Sequence, residues 1–225
     1  MSDHPQTCIS VHGGTYGTIA ISQHSRLEDG ERFRTMLVTS ELEADEINGD
    51  ELIVANGAVR CTGDVTVPTI SGRGQLDIGG NIVCNQMTFT GTVHCEGDIR
   101  CNGTLSVNGS LKNAQHISAQ TVHLNGVLHG RDIAGQELEV QPLRSQMFSR
   151  FNMNEYESGR SVATINASTV RARGLTCRLM HADSVTLREG STVEHATCTV
   201  SLGTDRTSSV LLMGHNCRRI HLKTA

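Results

Sequence analysis

Aliphatic side chains return every five to six residues through much of this 225-residue chain, and few folds can use that rhythm. They run from Ile47 through Ile53, Val59, Val65, Ile70, Leu76, Ile82, Met87, Val93, Ile99, Leu105, Leu111, Ile117, Val122, Leu128 and Ile133 to Leu138. That is sixteen steps over 91 residues, a mean of about 5.7. Position i+2 is usually apolar as well (Cys61, Val67, Ile78, Cys84, Phe89, Cys95, Cys101, Val107, Leu124). An i, i+2 apolar pair describes a short strand with one inward face. Gly follows many pairs at a fixed offset, as in Asn102-Gly103, Asn108-Gly109 and Asn125-Gly126, where a corner needs positive φ. Steps this short exclude hairpins and helices. They predict a β-solenoid whose coils each hold three short strands and three corners.

Taking the steps in threes tests the reading. One column is Ile47, Val65, Ile82, Ile99, Ile117, Ile133; a second is Ile53, Ile70, Met87, Leu105, Val122, Leu138; a third is Leu42, Val59, Leu76, Val93, Leu111, Leu128. Members lie about 17 residues apart, so like stacks on like at the ~4.8 Å strand spacing of a parallel stack. The pattern reaches upstream through Leu37 and Leu42, and more weakly to Ile9/Val11 and Ile19/Ile21. Residues 22–36 are charged and read as a loop. A second break, 141–161, holds half of the aromatics. The repeat then resumes at Ile165, Val170, Leu175, Met180, Val185 and later Val200. Beyond residue 203 the candidate strands are Val210/Leu212 and Ile220/Leu222. The expected fold is all-β, a parallel β-helix of about 17 residues per coil. Its parts are N-terminal strands and a charged loop (1–36), a main β-helix (37–140), an insertion or cap (141–161) and a second, basic solenoid region (162–225).

The core must be aliphatic, because the chain has only four Phe, two Tyr and no Trp. No stretch approaches the ~18 apolar residues of a membrane span. Met1–Gln6 is polar, unlike a signal peptide, so the expected location is cytoplasmic. The eight cysteines form no C-x-x-C pair, and without a secretion signal reduced thiols are expected. Cys84 and Cys101 fall in one column on adjacent coils, and Cys61, Ile78 and Cys95 in another, which places them in the core. The eleven histidines show no metal-ligand spacing and read as surface residues, as does the acidic run from Glu41 to Glu51. Ser71-Gly-Arg-Gly and Gly79-Gly80 precede no helix and read as corners rather than phosphate loops. No catalytic residue, cofactor or metal site is expected. The net charge of −4 hides an asymmetry: residues 37–140 carry a balance of −8, and residues 141–225 one of +5.

The segment Val93-His-Cys-Glu-Gly-Asp-Ile99-Arg-Cys-Asn-Gly-Thr-Leu105-Ser-Val-Asn-Gly-Ser-Leu111 carries a family resemblance. With it, the chain from about 37 to 140 resembles the bactofilins, bacterial polymer-forming cytoskeletal proteins; residues 165–202 resemble them weakly. The resemblance implies a right-handed triangular β-helix that polymerises end to end without nucleotide, serving cell shape, polarity, envelope scaffolding or motility. The chain departs from the family in lacking Pro-rich flanks, in the 141–161 insertion and in its basic second repeat region.

The function expected from the sequence is therefore a non-enzymatic structural protein that self-assembles. Expected partners are further copies of itself, a second bactofilin-like protein or a membrane-associated protein. No small-molecule substrate is expected, and no nucleic acid, because the arginines lack an aromatic platform. Met147, Phe148, Phe151 and Met153 have the spacing of a short amphipathic helix, with Arg144 just before them and Arg150 between. Phe148 and Phe151 are the candidate capping or docking residues. Leu37, Leu42, Leu138 and Val140 are the candidate end-rung core. Arg171, Arg173, Arg178 and Arg188 form a basic face suited to the acidic body of a neighbour or to anionic lipid. Two alternatives stand beside this reading. One is a non-polymerising adaptor that docks a partner through 141–161. The other is a hexapeptide-repeat acyltransferase, which calls for a stricter six-residue period.

Overall fold

Each apolar pair requires one side chain inward and its neighbour outward, and the backbone obeys this coil after coil. The computed structural model describes residues 9–11, 15–28, 30–113, 115–143, 159–214 and 217–222. The strands are β1 (Ile9–Val11), β2 (Thr15–Ile21), β3 (Ser25–Leu27), β4 (Arg32–Val38), β5 (Glu41–Ala44), β6 (Ile47–Cys61), β7 (Val65–Thr66), β8 (Thr69–Ile78) and β9 (Ile82–Cys84). They continue with β10 (Gln86–Cys95), β11 (Ile99–Asn113), β12 (His116–Gln141), β13 (Arg160–Arg173), β14 (Thr176–Arg188), β15 (Thr192–Thr204), β16 (Ser209–Met213) and β17 (Arg218–His221). They form one parallel β-solenoid of about 11 turns with roughly 17 residues per turn, as the repeat predicts.

Several strands outrun the predicted short segments; β6 and β11 each span 15 residues and β12 spans 26. The corners explain this. Gly57, Gly74, Gly91, Gly109 and Gly126 stack in register, one per coil. The upper four have φ between +132° and +143°. A Cβ on any of those four would lie 1.9 to 2.1 Å from the carbonyl oxygen of the glycine below. Only a residue without Cβ lets the chain bend here while neighbouring coils stay hydrogen-bonded.

The first apolar column is buried as expected: Ile47, Val65, Ile82, Ile99 and Ile117 pair in register. Ile133, Ile165, Met180 and Ala196 carry the same column upward. In the second column the phase differs from the prediction. Met36 and Leu52 occupy it beneath Ile70, whereas Leu37 and Ile53 turn outward and are half-buried. Met36-Leu37-Val38 and Leu52-Ile53-Val54 are apolar throughout, so a period of two has no visible phase there. The phase is set by a bulge at Asn56 (φ 63°), the extra residue between Ala55 and Gly57.

Residues 22–36 correct a second expectation. They contain β3 and most of β4, with Ser25, Leu27, Phe33 and Met36 buried while Arg26, Arg32 and Arg34 point outward. Charge on the outward positions of a strand masks it without breaking it. Phe33 lies over Gly49, where a Cβ would come within 2.3 Å of the ring. Val200 is likewise exposed rather than inward. Thr199 and Val200 bulge between the pairs Ala182–Cys198 and Ser184–Ser201, and Leu202 takes the buried place.

The two repeat regions are continuous. Ile133 faces Ile165, Leu138 faces Val170 and Val140 faces Ala172 across β12 and β13. Beyond that junction one coil is shorter, with Ile165 facing Met180 and Val170 facing Val185, 15 residues on. At the start of the upper region the Gly159 carbonyl accepts from the Leu128 N–H at 3.2 Å. Arg160 then occupies the glycine corner. Its Nη1 donates to the Gly126 carbonyl at 3.3 Å and its Nε to the Gly174 carbonyl at 3.0 Å. Burial holds that guanidinium below its usual pKa.

Candidate functional site

A solenoid offers two kinds of site, its side walls and its two ends. At the C-terminal end, β16 and β17 both pair with β15 and, among the described residues, with no strand beyond it. Their outer edges therefore present backbone donors and acceptors of the kind that another strand can pair. Leu211, Leu212 and Ile220 are exposed in these strands, Leu211 at 69 %. Exposed aliphatics beside an open strand edge are the features most unlike the rest of the surface. At the other end β1 pairs with β3 and β2 with β4, again on one side.

The end-rung residues expected from the sequence are not at the ends. Leu42 is fully buried between Ser25 and Val59, and Leu37 lies between Ala20 and Ile53. Leu138 and Val140 are roofed by Val170 and Ala172 in the middle of the stack. The physical reason is that the basic repeat stacks directly on the acidic one. No open rung exists at Leu138 for 141–161 to cap. Phe148 and Phe151 lie outside the described residues. The first and last described strands were marked in the sequence by the weak pairs Ile9/Val11, Ile19/Ile21, Val210/Leu212 and Ile220/Leu222.

Cys198 and Cys217 form a disulfide, their Cα atoms 5.0 Å apart, which corrects the expectation of reduced thiols throughout. It ties the segment between β16 and β17 back to β15. The other described cysteines, Cys61, Cys84, Cys95, Cys101 and Cys177, are free and buried, as the columns predict. Desolvation pushes the thiols of Cys61 and Cys95 up to about 11 and that of Cys177 to about 12. Such thiols stay protonated at neutral pH and behave as small apolar groups. Cys84 and Cys101 face each other on adjacent coils. The hydrogen bond between them raises Cys84 and favours the Cys101 thiolate.

Several side-wall charges are paired across coils. Arg26 reaches Asp45 at 2.7 Å, Arg60 reaches Glu41, and His94 meets Asp77 at 2.9 Å. The Arg26 hydrogen bond, helped by Thr62, lowers the pKa of Asp45. At one corner Asn81 donates to Asp64 through its backbone N–H (2.7 Å) and its amide (3.0 Å), and accepts from the Asp98 N–H at 2.9 Å. Near the C-terminal end, burial raises the pKa of Asp205, but hydrogen bonds from the Glu189 N–H, Ser208 and Thr207 outweigh it and bring it to about 2. Among the described residues no three His, Cys, Asp or Glu side chains converge as a metal site. No helix of the described residues is long and apolar enough to cross a membrane.

A cavity of about 350 Å³ opens on the wall near the last coils, lined by Glu139, Gln141, Arg171, Arg173, Thr186, Arg188 and Leu222 among others. A second groove, of about 540 Å³, follows the glycine corner and is lined by Glu41, Asn56, Gln75 and Thr92 with the glycines.

Fold and ends define a parallel β-solenoid with open terminal strands. Compared with family models, curated proteins and solved structures, the chain matches none of them.

Proposed function

We propose that this chain is a non-enzymatic structural protein whose copies associate end to end into filaments without nucleotide. The observation that carries the reading is the C-terminal coil. Its strands pair on one side and expose Leu211, Leu212 and Ile220, while the columns beneath run unbroken through the stack. A second copy placed on that edge would pair its backbone and cover those side chains, which is strand addition between identical modules. The resemblance to bactofilins points the same way, and with it to a cytoplasmic scaffold, membrane-associated in some settings, that serves cell shape, envelope or motility organisation. Further copies of the chain are the main partner, with a second bactofilin-like protein as another.

Electron microscopy of the purified chain, negatively stained and without nucleotide, tests this. Filaments that shorten or vanish in Leu211→Arg and Leu212→Arg are expected. Uniform small particles at every protein concentration would overturn the reading. Leu138→Arg is not a useful assembly variant, because Leu138 is buried mid-stack and the change would unfold the chain.

A second reading, an adaptor docking a partner through 141–161, gains from one observation. β12 pairs directly with β13, so no rung at Leu138 is left open and none of the chain between Leu143 and Gly159 is needed to close one.

A further inference from the structure

On the wall near the C-terminal end, three arginines gather on one face. Arg173 and Arg188 stand directly opposite one another on adjacent coils, and Arg171 is two residues from Arg173 on the same outward face. Like charges in register on neighbouring strands repel. Arg26 and Arg60, by contrast, reach carboxylates across coils, Asp45 and Glu41. Here the compensation is incomplete. Glu189 pairs with Arg173 at 3.0 Å, and Glu139 is engaged by His123 at 3.2 Å and by the Gln141 amide. Among the described residues Arg171 and Arg188 have no acidic partner within ion-pair distance.

These three guanidinium groups line one cavity of about 350 Å³. Gln141 and Thr186 add neutral hydrogen-bonding groups to its wall, Glu139 stands opposite Arg171 with its carboxylate held by His123 and Gln141, and Leu222, packed over Gly203, closes one side. The volume suits a small anion with part of its carrier. Guanidinium groups present paired donors that match the oxygens of a phosphate, and an anion between Arg173 and Arg188 would convert their repulsion into attraction. We propose that this cavity binds a phosphoryl group, with Arg171 and Arg188 as its principal ligands and Arg173 as a third, Glu189-paired donor. The site would give an assembled or single solenoid a place on its wall to bind a phosphate ester, whether on a small molecule or on a lipid headgroup.

Two probes separate those sources. Inorganic phosphate and pyrophosphate are titrated calorimetrically into the full chain, and vesicles of phosphatidylglycerol or of phosphatidylcholine are floated with it. Binding of the free phosphates, or selective flotation with phosphatidylglycerol, is expected. Arg171→Gln and Arg188→Gln should weaken whichever is seen by about ten- to a hundredfold, the worth of a charge-assisted hydrogen bond. Arg100→Gln, which removes an arginine paired with Asp98 at 2.7 Å elsewhere on the wall, should change nothing. Thermal melting provides a second readout: phosphate should raise the midpoint of the unaltered chain and not that of Arg188→Gln. Absence of binding to every probe, or binding that all three variants retain equally, would overturn the proposal.

Discussion

The glycine column makes its demand one residue at a time. Gly91 has φ +132°, and a Cβ there would sit 2.1 Å from the Gly74 carbonyl oxygen. Gly190 also has positive φ (+76°), yet nothing lies within 4 Å of its Cβ position. The pair separates conformational strain from steric conflict. Gly190→Ala carries only the left-handed backbone penalty, about 1 kcal/mol. Gly91→Ala adds displacement of the coil beneath and is expected to cost at least about 3 kcal/mol. Chemical denaturation of the two variants checks this. Equal losses would mean that the coils separate readily at this corner, contrary to their in-register pairing.

At the scale of the element, the last coil is held differently from the others. No side chain of β16 or β17 is fully buried, whereas β14 and β15 each bury several. What fixes the final segment is the Cys198–Cys217 bond, with backbone hydrogen bonds such as Gly214 N–H to Ala196 C=O and Leu222 N–H to Thr204 C=O. Cys217→Ser should therefore free β16 and β17 while leaving the stack below intact, since local opening follows local burial. Limited proteolysis read by mass spectrometry is expected to trim the variant, and the reduced parent, back towards β15. Identical fragments from oxidised parent and variant would show that the bond does not hold the coil. The same contrast explains how legible each element was. Columns such as Ile47 to Ile117 could be read because one inward aliphatic alternates with outward polar residues. Phase was lost at Leu37 and Ile53, where three apolar residues run together, and at Val200, where a bulge shifts the register. β4 was hidden because Arg32 and Arg34 flank Phe33. The disulfide had no local signal, because 19 residues separate its halves and only the stacking of coils brings them together. The basic cavity was visible as a set of arginines but not as a pocket, since the facing of Arg173 and Arg188 depends on a 15-residue coil that differs from the 17-residue coils before it.

Continuity of the two repeat regions gives the whole molecule an electrical axis. Residues 37–140 carry −8 and residues 141–225 carry +5, and β12 pairs directly with β13, so the acidic part of the stack adjoins the basic part. Two contacts between copies then differ in kind. An end contact made by β16 and β17 is chiefly backbone pairing and aliphatic cover, which salt leaves largely unaffected. A side contact, in which the acidic wall of one copy meets the basic wall of another, is a sum of exposed charge interactions. Those are screened over ~10 Å at 0.1 M salt and ~3 Å at 1 M. Filaments are therefore expected to bundle or form sheets at low ionic strength and to separate into single filaments as salt rises, with their lengths retained. Light scattering during a salt titration, with micrographs at its two ends, measures both quantities. Loss of filament length in step with bundling would place the charges in the end contact itself. Bundles indifferent to salt would remove the electrical axis from any part in assembly.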